Sequence, residues 1–337
     1  MKLADFDYYL PKELIAQQPL SNRDESRLLV LHRKDKKIED KVFSDIIEYL
    51  EPDDTLVLND TKVFPARLVA VDGIEILLIK NYQGKIWEVL IKHARKIKVG
   101  TKLKFGDELA GEVIGEKCIK FEYEGDFFEI LDKIGKTPLP PYIKRKVVDT
   151  DTDTEQYQTV YARHRGAIAA PTAGLHFTKE LLKKISAKGI KLAFITLHVG
   201  IGTFSPIRKE HIIEHHMKEE SYEISREAAE IINQTRGRII VVGTTTVRTL
   251  ETVNSKFEIQ NPKFKVVPSS GVTDLFIYPG FKFKVTDMLI TNFHLPKTTL
   301  LLLISAFAGR ENILYAYQHA IDKKYRFYSY GDAMLII

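Results

Sequence analysis

One segment of the sequence combines a glycine, three threonines and an arginine directly after a short apolar run. Gly243-Thr244-Thr245-Thr246-Val247-Arg248 follows Ile239–Val242, so a buried strand is expected to end where a helix begins. The free backbone amides of such a helix, together with its dipole, can bind an anion or a hydroxyl-rich ligand. Ordinary N-capping by one threonine is the alternative interpretation. The segment lacks the phosphate loop of nucleoside triphosphatases and therefore does not indicate that class.

Three histidines, His176, His198 and His294, also stand at the ends of apolar runs, and an imidazole can serve as an acid or a base near neutral pH. Gly200 and Gly202 follow His198 and allow a ligand to approach the backbone closely. His176 ends a segment of small residues, which also allow a ligand to approach the backbone closely. Hydrogen-bonded core histidines and ordinary turn glycines explain these patterns equally well, so both interpretations stay open.

A metal site has little support in the sequence. His215-His216 and Glu219-Glu220 are near each other, but adjacent residues point apart on a helix or a strand, and no H-E-x-x-H spacing is present. The single cysteine, Cys118, excludes an intramolecular disulfide and a cysteine-rich zinc site. We therefore predict no bound metal.

The length and charge of the chain limit the possible classes of protein. Its 337 residues predict about two domains, and a net charge of +5 permits a nucleic-acid partner without requiring one. An acid at position 5 argues against a secretory signal. The strongest apolar run, Leu300–Ala308, is far shorter than the ~20 residues that span a membrane. We expect a soluble cytoplasmic protein.

Apolar runs alternate with helical patterns in the second half of the chain. Ile190–Leu197 and Ile239–Val242 are expected strands, and Glu180–Lys188 has the spacing of a helix. This alternation predicts an α/β fold with a mixed, largely parallel sheet. We expect it to be a discontinuous catalytic domain formed by residues 1–66 and 149–337.

Residues 67–148 have a different pattern. Short runs of β-branched and aromatic residues, among them Ile119–Tyr123 and Phe127–Ile130, alternate with glycine turns. This pattern predicts an all-β barrel inserted into the α/β domain. Between Lys80 and Lys104, eight basic residues accompany one acid, which indicates either solvated strand faces or a basic face for a polyanion.

These segments, together with several others, resemble the S-adenosylmethionine:tRNA ribosyltransferase-isomerase family of the queuosine pathway. The resemblance extends over nearly the whole chain. The motifs that carry it are Ile15–Leu20 with Arg23–Leu28, Leu58–Val63 with Pro65–Leu68, Tyr157–Ala162, Ala169–Thr178, Leu197–Gly200, Gly243–Leu250, Thr291–Pro296 and Tyr325–Met334. Lys218 stands where the family often has a histidine, and this departure makes Glu220 the better proton-transfer candidate of its segment.

The resemblance implies an α/β domain with an inserted β-barrel and an unusual reaction of S-adenosylmethionine, whose ribosyl unit rather than its methyl group is transferred. The acceptor is 7-aminomethyl-7-deazaguanine at the wobble position of a tRNA anticodon loop. The products are epoxyqueuosine in tRNA, adenine and methionine. S-Adenosylmethionine is then a co-substrate, no bound prosthetic group is implied, and we expect a monomer.

The resemblance also suggests roles for individual residues. The reaction needs a base beside the sulfonium, an acid for the departing adenine and a deprotonated acceptor amine. The candidates for these roles are His176, His198, Glu220 and His294. The expected substrate-binding residues are Gly200, Gly202, Gly243, Thr244, Thr245 and Arg248, with Asp60, Arg67 and Asp332 as further candidates.

An anticodon-loop base is bound unstacked, against aromatic or guanidinium planes, while lysines and arginines hold the phosphates. A C-terminal cluster suits the first task, or is alternatively an aromatic edge of the core: Arg326, Phe327, Tyr328 and Tyr330. The expected phosphate contacts are Lys92, Arg95, Lys96, Lys98, Lys144, Arg145 and Lys146.

Two other classes of protein fit parts of the sequence. A conventional S-adenosylmethionine methyltransferase usually has its glycine-rich loop early in an uninterrupted α/β domain, whereas the candidate loops here follow the β region. A non-catalytic RNA-binding module has no need of buried-strand ends rich in histidine, threonine and glycine. Both classes are therefore less favoured than the transferase-isomerase.

Overall fold

Two larger β-sheets organise the part of the chain that the structure describes. The computed structural model describes residues 1–92, 97–143, 150–200 (backbone only for 150–152), 207, 209–257 and 265–337. In chain order the strands are β1 (Arg27–Leu31), β2 (Ile38–Val42), β3 (Thr55–Asn59), β4 (Thr61–Val63), β5 (Arg67–Val69), β6 (Glu75–Gln83), β7 (Ile86–Ile91), β8 (Lys102–Lys104), β9 (Ala110–Gly115), β10 (Cys118–Glu122), β11 (His164–Ala167), β12 (Lys191–Leu197), β13 (Glu220–Ile224), β14 (Ile239–Val242), β15 (Ser269–Thr273), β16 (Met288–Asn292) and β17 (Ala333–Ile336).

Several of the helices begin at a residue whose side chain caps them. The α-helices are α1 (Phe127–Ile134), α2 (Thr150–Gln156), α3 (Lys179–Ala187), α4 (Arg226–Asn233), α5 (Thr244–Lys256), α6 (Thr299–Ala308) and α7 (Arg310–Asp322). The side chains of Thr178, Ser225 and Thr298 accept hydrogen bonds from first-turn amides of α3, α4 and α6. No helix in the described ranges combines the length and the hydropathy needed to cross a membrane.

The larger sheet has the strand order β15-β13-β12-β3-β14-β16-β17-β1-β2. The central strands β12, β3, β14 and β16 run parallel, so their carboxyl ends meet at one edge. Four of the eight pairings within the described strands are antiparallel, so the expectation of a largely parallel sheet is wrong. The reason is that β13, β15 and β2 pair antiparallel with their neighbours, and β17 does so with β16. The mixed α/β fold class is confirmed.

Both faces of the central sheet are covered, which explains why its strands are apolar without alternation. Val57, Val241 and Leu289 belong to one core cluster, to which α5, α6 and α7 contribute. The neighbouring residues of the same strands face the opposite core cluster, to which α3 contributes. Since the two faces are filled, ligand space is expected only beyond the strand ends.

The smaller sheet is antiparallel, with the order β5-β6-β7-β10-β9-β8. The Val71 amide donates to the Lys104 carbonyl at 2.9 Å, so the chain just beyond β5 reaches the outer strand β8 and the sheet is curled. Its concave side encloses a third core cluster that includes Trp87 and Phe121. A curled antiparallel sheet in this region agrees with the predicted β unit, whereas the domain boundaries stay a prediction.

The predicted strand at Phe127–Ile130 is wrong, because these residues begin helix α1. The Asp126 carboxylate accepts a hydrogen bond from the Glu129 amide at 3.0 Å, which caps the helix. Phe127, Ile130 and Leu131 then share one face and are buried against the curled sheet. The inserted unit is therefore not all-β within the described residues.

Candidate active site

A cleft lies beyond the carboxyl ends of β14 and β16, where the strand-end segments of the sequence converge. Gly243, Thr244 and Thr245 line it from the start of α5, and Asn292 and His294 line it from the end of β16. The segment 170–173 and Ser329 complete its walls. We call it the α5 cleft; its space amounts to about 480 Å³, part of it open to solvent. The structure thus brings together four of the predicted site residues, Gly243, Thr244, Thr245 and His294.

The start of α5 is built without a side-chain cap. Gly243 has a φ of 87°, a conformation that favours glycine, and its amide donates to the Ile290 carbonyl at 2.8 Å. The Thr246 hydroxyl bonds back to the Val242 carbonyl at 2.6 Å, and the Thr245 hydroxyl accepts from Asn59 at 3.3 Å. No described side chain caps the helix, so its first-turn amides remain available to a ligand. The capping alternative for this segment therefore finds no support.

Asn292 provides a hydrogen-bond acceptor that the sequence did not single out. Its side-chain nitrogen donates to the Tyr328 carbonyl and to His176 Nε2, both at 3.1 Å. Its buried Oδ1 has no hydrogen-bond partner among the described residues, although Asn292 lines the α5 cleft. An unsatisfied buried acceptor costs about 1–3 kcal/mol, so a ligand with an N–H or O–H donor is favoured there. A polar residue at the end of a fully buried strand was the signal that could have identified it.

His176 lines a second cleft and is hydrogen-bonded to Asn292, which lines the α5 cleft. Because Asn292 donates to Nε2, the other ring nitrogen carries the proton, and Nδ1 donates to the Ser26 hydroxyl at 2.7 Å. Burial lowers the pKa of His176 to about 3, and the charges of Arg326 and Arg23 act in the same direction. The imidazole is therefore neutral at pH 7.

The second cleft, which we call the Arg23 cleft, borders on the N-terminal motifs. His176 and Ser26 form part of its wall, and Arg23 and Tyr330 line it as well. The guanidinium of Arg23 is held by the carbonyls of Gln158, at 2.5 Å, and Glu155, at 3.1 Å. Ser329 lines both this cleft and the α5 cleft, so the two are adjacent.

The other two predicted catalytic histidines have different surroundings. His294 is buried, its Nε2 is 2.9 Å from the Thr291 hydroxyl, and burial lowers its pKa to about 3. His198 is half-buried, with Nδ1 at 2.8 Å from the Thr61 hydroxyl. Burial and the nearby His164 lower its pKa. Because its neighbour Val199 lines the α5 cleft, His198 faces away from that cleft toward Gly166 and Thr61.

Asp60 lies near this histidine and has a raised pKa. The Thr196 hydroxyl donates to its Oδ1 at 2.7 Å, and His164 Nε2 lies 3.6 Å from its Oδ2. The side chain is buried, and burial raises the pKa of the carboxyl. His164 is a neighbour that sequence reasoning missed, since it follows no strand and belongs to no motif that was singled out.

Glu220 and Arg248 form a buried ion pair beneath the start of α5. Arg248 Nη1 donates to Glu220 Oε2, and the Gly200 amide donates to Glu220 Oε1 at 2.8 Å. Arg248 Nε also donates to the Leu275 carbonyl at 3.0 Å. Three predicted site residues, Gly200, Glu220 and Arg248, are thus connected by hydrogen bonds. The guanidinium of Arg248 is directed to the carboxylate of Glu220 rather than into the α5 cleft.

Two of the remaining predicted substrate-binding residues, Asp332 and Arg67, interact with backbone amides or with another side chain. Asp332 accepts hydrogen bonds from the amides of Arg27, at 3.1 Å, and Arg326, at 2.8 Å, while burial raises the pKa of its carboxyl. Arg67 Nε lies 3.1 Å from a carboxylate oxygen of Glu75, outside both clefts. Gly202 lies outside the described residues.

The predicted RNA-binding residues separate into two groups. Tyr328 and Tyr330 are buried, and the Arg326 guanidinium donates to the Gln18 carbonyl. Lys92 pairs with Glu75 at 3.3 Å, and Lys98 is exposed. Arg95, Lys96, Lys144, Arg145 and Lys146 lie outside the described residues. Within the described ranges, no group of three or more metal-ligating side chains could hold a metal ion.

The Glu220–Arg248 pair supplies a stability prediction. In R248M the buried Glu220 carboxylate loses its ion pair with Arg248, so we expect the free energy of unfolding to fall by about 3–5 kcal/mol. The double variant E220Q/R248M should lose less, because no charge remains buried. Urea unfolding measures both, with R226M at an exposed arginine as the control, for which a change within about 0.5 kcal/mol is expected. Equal losses in the single and double variants would contradict the assignment.

The buried histidines make stability depend on pH in one direction. The folded pKa of His176 and His294, about 3, lies below the ~6.5 of an unfolded histidine. The unfolded chain therefore binds more protons between these values, and stability falls as the pH is lowered from 7 toward 3. Between pH 7 and 5 each histidine contributes a loss of about 2 kcal/mol.

H176Q and H294Q should each reduce the fall in stability between pH 7 and pH 5 by that amount. Urea unfolding at pH 5, 6 and 7 tests this, with H211Q at an exposed histidine as the control. A pH dependence identical to that of the wild type in both variants would show that the two imidazoles are not held neutral by burial.

Comparison with known proteins places the chain among related sequences. It matches the family described as Queuosine biosynthesis protein over residues 3–336. A relative from Carboxydothermus hydrogenoformans, named S-adenosylmethionine:tRNA ribosyltransferase-isomerase, is 54% identical over 349 residues that cover 100% of both chains. A relative of the same name from Clostridium kluyveri is 52% identical over 350 residues, again with 100% of both chains covered.

A solved structure is also similar. It is described as the crystal structure of S-adenosylmethionine tRNA ribosyltransferase from Thermotoga maritima, and it matches with a TM-score of 0.57 and 40% sequence identity. The match covers 99% of this chain and 100% of that chain. The family resemblance predicted from the motifs is thereby confirmed, and the relatives are named as transferase-isomerase enzymes. The chain belongs to the Queuosine biosynthesis protein family.

Proposed function

We propose that this protein transfers and isomerises the ribosyl unit of S-adenosylmethionine onto 7-aminomethyl-7-deazaguanine at the tRNA wobble position. The products are epoxyqueuosine-tRNA, adenine and methionine. The observation that carries the proposal is the pair of adjacent clefts that share Ser329, in which Asn292 of the α5 cleft is hydrogen-bonded to His176 of the Arg23 cleft. A reaction between a small donor and an RNA base needs two neighbouring sites of this kind. The protein acts as a monomer in the cytoplasm, without a bound prosthetic group.

The α5 cleft is the donor site in this proposal. The amides of the first turn of α5 bind the carboxylate of the methionine part, because a helix N-terminus carries a partial positive charge. Asn292 Oδ1 accepts a hydrogen bond from a donor N–H or hydroxyl group. Gly200 belongs to the same region, since Glu220 holds its amide near the start of α5.

The neutral histidines suit a cationic donor. The sulfonium of S-adenosylmethionine is positively charged, and an imidazolium beside it would repel it. Burial keeps His176 and His294 uncharged at pH 7, so both can accept or donate hydrogen bonds without adding charge. His198 and Glu220 are further candidates for proton transfer, and we assign Glu220 the additional task of positioning Gly200.

A labelled donor tests the reaction. The wild-type protein is incubated with precursor-bearing tRNA and S-adenosylmethionine labelled separately in its ribose and methyl groups. We expect the ribose label in RNA, together with released adenine and methionine. The methyl label in RNA would instead identify a methyltransferase, and no label in RNA despite tRNA binding would identify a non-catalytic RNA-binding protein.

Gly243 tests the location of the donor site. An alanine Cβ at this position has room, since its nearest neighbours lie at 3.6 and 3.7 Å, but the φ of 87° is strained for alanine. G243A should therefore displace the first turn of α5 and weaken donor binding about 10-fold, which corresponds to about 1.4 kcal/mol. Calorimetric titration with S-adenosylmethionine measures the effect.

The matched control is G280A. Gly280 also has a positive φ, of 108°, but lies outside the clefts, and no atom lies within 4 Å of its Cβ position. Its donor affinity should stay within 2-fold of the wild type, because the strain there reaches no cleft residue. Equal weakening in both variants, or none in G243A, would place the donor elsewhere.

A further inference from the structure

A third cavity adjoins the Arg23 cleft and differs from it in charge. It lies between the C-terminal end of α1, strand β4 and the segment 154–162, and we call it the α1 groove. It contains about 1790 Å³ of space open to solvent. Two acids, Asp132 and Glu155, line it, against six basic residues: Arg23, Lys62, Lys133, Lys136, Arg165 and Lys179.

Two of these six cations have a carboxylate partner, and the Arg23 guanidinium is held by backbone carbonyls. Arg165 pairs with Asp132 at 2.6 Å, and Lys133 pairs with Glu108 at 3.1 Å. Within the described ranges, no carboxylate lies within 4.0 Å of the amines of Lys62, Lys136 or Lys179. Concentrated and unneutralised positive charge in a concave surface raises the local concentration of an anionic partner.

The groove adjoins the proposed reaction site. Arg23 lines both the α1 groove and the Arg23 cleft, and Ser329 lines both the Arg23 cleft and the α5 cleft. An RNA strand can therefore lie along the groove while one unstacked nucleotide enters the Arg23 cleft next to His176. Phosphate contacts of this kind position the nucleic acid, whereas contacts to the base select it.

We infer that the α1 groove binds the phosphates of the RNA substrate through Lys62, Lys136 and Lys179. This inference rests on the proposed function, because it takes the neighbouring Arg23 cleft as the site of the acceptor base. It places the main phosphate contacts beside α1 rather than on Lys92, whose amine is paired with Glu75 at 3.3 Å. A large, open and basic cavity fits a polyanionic strand better than it fits a small anion.

Charge reversal tests the inference. The triple variant K62E/K136E/K179E is compared with the wild type for binding of a tRNA transcript at several salt concentrations. We expect the Kd at low salt to rise at least ~100-fold, and the slope of log K against log salt to become less negative by about 2–3, since each lost phosphate contact removes about 0.7–0.9. Donor affinity should stay unchanged, because none of the three lysines lines the α5 cleft.

The control variant is K102E/K120E/K191E, which changes the net charge equally at three exposed lysines outside the groove. It should keep most of the affinity and the salt slope. The inference would be overturned if the groove variant kept the wild-type affinity and salt slope, or if the control variant lost as much affinity. Ribosyl transfer by the wild-type protein would still support the proposed function in that case. A wild-type protein that neither binds tRNA nor transfers ribose would overturn both. Thermal unfolding of each variant verifies that it is folded.

Discussion

The side chain of Asn292 is the interaction on which both clefts depend. Its amide nitrogen is shared by the Tyr328 carbonyl and His176 Nε2, so one group at the end of β16 holds both the C-terminal loop and the imidazole that lines the Arg23 cleft. The Tyr328 amide in turn donates to the Phe293 carbonyl at 3.0 Å, which keeps Tyr328 in its left-handed conformation, with a φ of 76°. The same hydrogen bond to Nε2 determines the tautomer of His176 and directs its proton to Ser26. The two clefts therefore have a common support and cannot vary independently in shape.

Burial determines how charge is distributed around the clefts. Several buried acids and bases near the clefts have a pKa shifted by burial or an ion-pair partner. His176 and His294 are uncharged, burial raises the pKa of Asp60, and Glu220 is matched by Arg248. The partial charge of the α5 N-terminus is then the main positive element in its cleft, and this polarity favours binding of the donor with its carboxylate toward α5. Most of the lysines and arginines that line the three cavities lie in the α1 groove.

Local signals were sufficient to predict those parts of the fold that depend on neighbours in sequence. Thr178, Ser225 and Thr298 cap helices because a hydroxyl three residues before a first-turn amide needs no distant partner. The strand-to-helix transition at Gly243 was likewise predictable from neighbouring residues, because an apolar run ends there at a glycine. The aromatic run at Phe127 was wrongly predicted to be a strand, because aromatic residues have a high β-propensity. The helical signals there were the Asp126 cap and the spacing of the apolar residues 127, 130 and 131.

The contacts that define the site are distant in sequence, and periodicity carries no information about them. Ser26 reaches His176 across 150 positions, and the unsatisfied oxygen of Asn292 becomes evident only when its surroundings are known. Arg248 was expected to contact a ligand, but β13 brings Glu220 next to it. The basic groove was missed because its lysines come from three separate segments, each of ordinary charge.

The position of β17 in the larger sheet has a consequence for how the protein is made. This strand, the last of the seventeen within the described residues, lies between β16 and β1 and pairs with both. During translation, β1 and β16 therefore keep one unpaired edge each until Ala333–Ile336 has been made. The loop that holds Tyr328 and Ser329 is made just before this strand, so the clefts that it lines form only after more than 300 residues have been synthesised. A nascent chain is thus exposed to edge-to-edge aggregation until then, and we expect chaperones that bind open strand edges to act on it.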